Sequence, residues 1–246
     1  MSISKLESQA RGKIMQYAMI GITFISYIVC WIFLRVSFVK ILPLFVSLFV
    51  VMLQAKVNRF GYLLGGLNSI LYAIIYISAG VYASAASALL FSLPMQIVTF
   101  LRWQKHAYKE STVLRRMSRK GRMLCAGAFL FVWGITLTTL TLLGSEFAFL
   151  DTSVSLLGVL VSILTMLAFV EYAPLWLVSN ALSLVLNLQL TLSDISFFPY
   201  AIAGVYNLIC TIISVFNVAK LYKLQNTSEE QAKAYQTKEQ TYEKDR

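Results

Sequence analysis

Gln96, Thr99, Phe100 and Trp103 fall at i, i+3, i+4 and i+7, so a helix places them on one face. That face offers an amide, a hydroxyl and two rings, and no charge. A second set, Tyr172, Trp176, Asn180 and Asn187, is spaced i, i+4, i+8 and i+15 and also shares a broad face. Asn68 and Tyr72 make an i, i+4 pair, and Asn207 brings a further amide. Carboxamides pair with hydroxyls and ring amides. Aromatic faces stack on flat rings and attract a cation by about 0.5–2 kcal/mol. These residues suit a neutral or singly cationic ligand with a flat heterocycle and hydroxyls. They are poor material for breaking bonds. Cys30, Cys125 and Cys210 have no ligand spacing, and the one histidine, His106, sits among cations. No CxxC, HExxH, GxSxG or Walker-type loop is present. Catalysis needs a nucleophile, base or metal held together, so neither an enzyme, a metal site nor a cofactor is expected.

All of these residues lie in or at the ends of long apolar runs. Hydrophobic residues make up 58% of the 246, charged residues 13%, and mean hydropathy is +0.71. A soluble domain of this size has too little interior for that. A bilayer admits only helices or closed barrels, and unalternated runs near 20 residues favour helices. Eight spans are expected, at 15–34, 38–55, 61–79, 82–101, 124–143, 150–169, 172–190 and 197–219. The fold class is therefore an all-α membrane protein. The first run is too long for a signal peptide and lacks a small-residue cleavage site. An amide in hydrocarbon needs partners, so the polar residues should face the bundle interior. A single Asn or Gln is ordinarily glue between helices, and Trp103 and Tyr172 also fit an aromatic belt at the membrane interface.

The cations set the orientation. With eight spans and an inside N-terminus, 19 of 21 Lys and Arg residues share one side, eight of them between Arg102 and Arg122. Only Arg35 and Lys40 fall outside. The positive-inside rule then puts both termini in the cytoplasm, with the chain in the plasma or inner membrane. A net charge of +10 arranged this way points to anionic lipid rather than nucleic acid. Residues 1–14 read as a cytoplasmic lead-in, 15–223 as one polytopic domain, and 224–246 as a polar tail too poor in aliphatics to order itself. Glu110, Glu146, Asp151, Glu171 and Asp194 all lie at or beyond span ends, so no proton relay is expected.

Three spans, 38–55, 61–79 and 82–101, answer three others, 150–169, 172–190 and 197–219, with 124–143 between them. One intervening span makes the triplets parallel. Asn68 then matches Asn180, and Gln96 matches Asn207, while 15–34 is an extra helix. Small residues mark close packing: Gly61, Gly65 and Gly66 in span three, and Ser84 to Ala88 at the start of span four. Pro94 and Pro174 each precede a candidate site residue by two, where a proline frees a carbonyl and makes a hinge or a static kink.

The stretch LNSILYAIIYISAGVYASAASALLFSLPMQIVTFLRWQKH, residues 67–106, resembles the PnuC-type nicotinamide riboside transporter family. Trp176, Asn180 and the late Asn207 are similar to that family's second half, and the likeness extends loosely over 38–222. Tyr172 stands where relatives commonly have a second Trp. The resemblance implies a SWEET-like 3+1+3 fold and uptake of a vitamin precursor by facilitated diffusion. It also implies trapping by a cytoplasmic kinase, and a homotrimer. It assigns ligand contacts to Gln96, Thr99, Trp103, Trp176 and Asn180, to which Asn68, Tyr72, Phe100, Tyr172 and Asn207 are added on the spacing above. Nicotinamide riboside is the expected ligand, because a pyridinium riboside fits amides and rings without a carboxylate. The alternatives are thiamine or a (deoxy)nucleoside. From a different class, the alternative is a membrane sensor or assembly subunit using the basic loop and tail.

Overall fold

A helix pairs nearly all of its backbone groups within its own segment, and most of the described residues take that solution. The computed structural model describes residues 3–35, 38–78, 88–108, 111–142, 148–193 and 195–244. Ser84 to Ser87, Lys109, Glu110, Glu146 and Asp194 lie outside the described residues.

The described residues hold eight α-helices: α1 (Ile3–Phe33), α2 (Phe38–Ala55), α3 (Phe60–Ser78), α4 (Leu93–Lys105), α5 (Arg119–Leu142), α6 (Ala148–Met166), α7 (Tyr172–Ser193) and α8 (Phe198–Lys244). A π-helical turn, Ala88–Ser92, leads into α4, and a 3-10 turn, Ile195–Phe197, into α8. Arg119–Thr139, Ala148–Met166 and Phe198–Thr227 are long and apolar enough to cross a membrane. Tyr17–Phe33, Ile41–Ala55 and Phe60–Ile74 are shorter apolar stretches. The lead-in expected before residue 15 is the first part of α1, and α5 starts at Arg119, earlier than expected.

Pro174 is in the first turn of α7, where the missing N–H has no intrahelical partner to lose. Pro94 is at the start of α4 but follows directly on the π-helical turn, with Ser92 at their junction at helical φ −64° and ψ −49°. The helical run therefore passes through Pro94, at the point where its hydrogen-bond register changes.

Six helices close a ring. α2 packs on α3, α3 on α4, α4 on α6, α6 on α7, α7 on α8, and α8 back on α2. α1 rests outside against α2 and α8, where Tyr27, Ile41, Leu48, Met52, Tyr206 and Cys210 form one apolar cluster. The Tyr206 hydroxyl donates to Leu48 O at 2.6 Å and Asn217 Nδ2 to Ala55 O at 2.8 Å, tying α8 to α2. α5 packs against α6, where Trp133 Nε1 donates to Ser153 Oγ at 3.0 Å. The rest of α5 is bare, with Leu124, Phe131 and Leu142 exposed. Such a surface is stable against hydrocarbon and not against water.

The ends of α2 and α6 are built alike. Val57 N–H bonds to Gln54 O and Asn58 N–H to Leu53 O, with Val57 at φ 57°. Ala168 N–H bonds to Thr165 O and Phe169 N–H to Leu164 O, with Ala168 at φ 58°. Both are Schellman caps with a non-glycine residue in the left-handed position. After the first, the chain reverses so tightly that a Cβ on Gly61 would lie 2.8 Å from the Gln54 backbone nitrogen.

Candidate substrate site

The ring holds a cavity of about 300 Å³, at the small end of the range for ligand pockets. α7 supplies the richest wall: Tyr172, Trp176, Ser179, Asn180 and Ser183. Their spacing is that of one helix face, so a single face of α7 carries two rings, an amide and two hydroxyls. α4 and the turn before it face this wall with Ser92, Met95, Gln96 and Thr99. α2 contributes Gln54, and α3 contributes Tyr62. α6 closes the side with Val154, Gly158, Val161, Ser162 and Thr165. Among the described residues that line it there is no Asp, Glu, Lys, Arg or His.

Hydrogen bonding decides what this lining offers. Thr99 Oγ1 donates to Met95 O at 2.7 Å, Ser162 Oγ to Gly158 O at 2.8 Å, and Thr165 Oγ1 to Val161 O at 2.7 Å. Asn180 Nδ2 donates to Trp176 O at 3.0 Å. Each group spends a proton on its own helix and keeps oxygen lone pairs for another partner. The cavity therefore presents acceptors without presenting anions. The Tyr172 hydroxyl is buried, with the Ser214 and Tyr62 hydroxyls among its polar neighbours.

Five of the ten residues picked from the sequence line the cavity: Gln96, Thr99, Tyr172, Trp176 and Asn180. The other five do not. Asn68 is buried between α2 and α3, where Nδ2 donates to Pro43 O at 3.2 Å and Ser47 Oγ at 2.9 Å. Tyr72 lies beside it, 3.4 Å from the same serine hydroxyl. This pair is glue between helices. Asn68→Leu is expected to lower thermal stability by about 0.6–1.7 kcal/mol and leave ligand affinity unchanged. Melting and binding measured on one preparation check this.

Phe100 packs on Phe60, with ring centroids 5.7 Å apart, away from the cavity. Trp103 is wholly buried beneath it, not at an interface belt, and Nε1 donates to Thr165 O at 2.8 Å. Asn207 is on α8, and α8 sends no side chain into the lining. The amide match of Gln96 with Asn207 thus does not produce a shared cavity wall. Gln54, Tyr62, Ser162, Ser179 and Ser183 also line the cavity, and their places in the sequence do not single them out.

The basic loop is anchored to protein. Ala107–Tyr108 (β1) pairs antiparallel with Ser111–Thr112 (β2). Arg115 N–H bonds to Ala168 O and Val170 N–H to Arg115 O, at 2.8 and 2.9 Å. Leu114 enters the cluster of Tyr62, Trp103, Leu164, Tyr172 and Val218 under the cavity.

Among curated proteins, none matches this chain. A solved structure described as the crystal structure of the vitamin B3 transporter PnuC is similar at 21% identity, with a TM-score of 0.67. The match covers 86% of this chain and 91% of that one. At that identity the likeness establishes the fold. The sequence model described as nicotinamide mononucleotide transporter matches residues 37–220, which span α2 through the apolar part of α8 and every helix that lines the cavity. The chain therefore belongs to the nicotinamide mononucleotide transporter family, a family of membrane transporters and not of enzymes.

Proposed function

We propose that the protein carries nicotinamide riboside across the plasma or inner membrane by facilitated diffusion. The observation that carries this reading is the lining: acceptor oxygens, carboxamides and three aromatic side chains, with no charged side chain among the described residues. A pyridinium cation is drawn to Trp176 and Tyr172 by their ring faces. Ribose hydroxyls and a carboxamide bring the donors that the spent hydroxyls and Asn180 need. A phosphate would enter with no cation to meet it, and burying an unpaired charge is costly. The riboside therefore fits better than the mononucleotide of the family's description.

The test is thermal stabilisation of purified protein by each compound. Nicotinamide riboside at 100 times its dissociation constant should add about 2.7 kcal/mol. Equal or greater stabilisation by the mononucleotide would overturn the choice. Asn180→Leu should weaken riboside binding by about 1–3 kcal/mol, because a ligand donor loses its acceptor. Its stability should hold, since Asn180 bonds within its own helix. Unchanged affinity would remove Asn180 from the site.

The lack of an acid among the described lining residues also supports transport without proton coupling, with accumulation left to a cytoplasmic kinase. In that case counterflow in proteoliposomes persists at equal pH on both sides. The fold we read as a SWEET-like 3+1+3 arrangement. It is supported by the matching caps of α2 and α6 and by α5 coming between the two packed triplets in chain order. Both termini and the loop around Ser118 are assigned to the cytoplasm on the distribution of cations. A cysteine at the exposed Ser118 should resist an impermeant thiol reagent added outside intact cells. The homotrimer is carried over from the resemblance alone.

A further inference from the structure

We propose that Gly65 and Gln54 are positioning residues that set how Gln96 is presented to the ligand, an inference that rests on reading this cavity as the ligand site. Gly65 is buried on α3, and a Cβ built there would overlap Gln96 Oε1. The absence of a side chain is the hole in which that carboxamide sits. Gln54 Nε2, from α2, donates to Gln96 Oε1 at 3.4 Å and to Gly61 O at 3.4 Å. Gln96 Nε2 faces Ser69 Oγ at 3.5 Å and Ser92 Oγ at 3.4 Å, and those two hydroxyls lie 2.9 Å apart. Bonds of 3.4–3.5 Å are at the weak end of the hydrogen-bond range. They cannot hold the amide if its seat is filled. The obstructed atom is the far end of a flexible side chain, so the fold accommodates a methyl group by letting Gln96 swing into the cavity. The consequence falls on ligand orientation and not on folding. The neighbouring Gly66 is an internal control, because a Cβ there meets only ordinary contacts at 3.5–3.7 Å.

The experiment is a double-mutant cycle read by nicotinamide riboside titration and by melting. Gly65→Ala should weaken binding at least tenfold and Gln54→Leu severalfold, both with melting temperatures near the parent's. Gly66→Ala should stay within twofold. In a Gln96→Ala background, Gly65→Ala should cost less than twofold, since there is no longer an amide to position. Equal losses in both backgrounds would show a packing role and overturn the proposal. So would an unaltered affinity in Gly65→Ala. The side-chain amide resonance of Gln96, assigned by its disappearance in Gln96→Ala, gives a ligand-free readout. It should move in Gly65→Ala and Gln54→Leu and stay in Gly66→Ala. An unmoved resonance in Gly65→Ala defeats the proposal even if the parent binds no riboside, whereas absent binding with a moved resonance defeats only the substrate.

Discussion

Trp103→Ala should cost about 3–5 kcal/mol of stability, the range for removing a large buried aromatic. The indole is 0% exposed and packs edge-on against Tyr62 at 4.7 Å and near Tyr172 at 6.5 Å. Both tyrosines line the cavity, so the indole is the underside of its floor. Trp103→Phe separates two contributions. It keeps most of the ring but removes the 2.8 Å bond from Nε1, leaving Thr165 O with the Ala168 N–H as its partner. Losing one buried hydrogen bond of this kind costs about 0.5–1.5 kcal/mol. The Phe variant should therefore melt lower while its riboside affinity stays within about threefold, since the loss of that bond falls on the fold. A Phe variant that keeps parental stability and loses affinity would return Trp103 to the ligand's contacts.

That contrast explains what the sequence could and could not tell. Helical spacing placed Gln96, Thr99 and Trp103 on one face, and that much is seen. It could not say which neighbour lies across each turn of that face. Gln96 and Thr99 meet the cavity, and Trp103, one turn further, meets the α6 carbonyl and two tyrosines. Asn68 and Asn180 looked equivalent as amides in matched helices. One bonds to another helix and the other to its own, which no one-dimensional pattern records. Gln54 and Tyr62 stand at span ends, where polar and aromatic residues are ordinary, so nothing set them apart. Ser162 passed unnoticed because a helix absorbs a serine cheaply by bonding it to the carbonyl four residues back. The membrane class, by contrast, was legible from length and hydropathy alone, because the bilayer leaves so few solutions.

Gln225→Leu is expected to have the largest effect outside the cavity. The polar tail starts at this residue, yet Gln225 is only 5% exposed. Its Oε1 accepts from Leu114 N–H at 3.0 Å and its Nε2 donates to Thr112 O at 2.9 Å. Both ends of one side-chain amide thus pair with backbone, one in the hairpin's second strand and one in the segment after it. Glu171 holds the same segment from the other side, with its carboxylate oxygens 3.2 and 3.3 Å from Met117 N–H. Leucine fills similar space and bonds to neither group. Two buried backbone groups then lose partners, at about 1–3 kcal/mol each. The segment should pay this by opening locally, because its remaining ties are a few backbone bonds and its cations favour water. Hydrogen exchange at the Leu114 amide should accelerate by roughly 10- to 1,000-fold, following the lower part of that energy range. Amides in the middle of α6 and α7 should keep their parental rates. Gln225→Glu should fall between, since a carboxylate still accepts from Leu114 but cannot donate to Thr112. Parental protection at Leu114 in the Leu variant would mean that the hairpin and the α6–α7 joint hold the segment without α8.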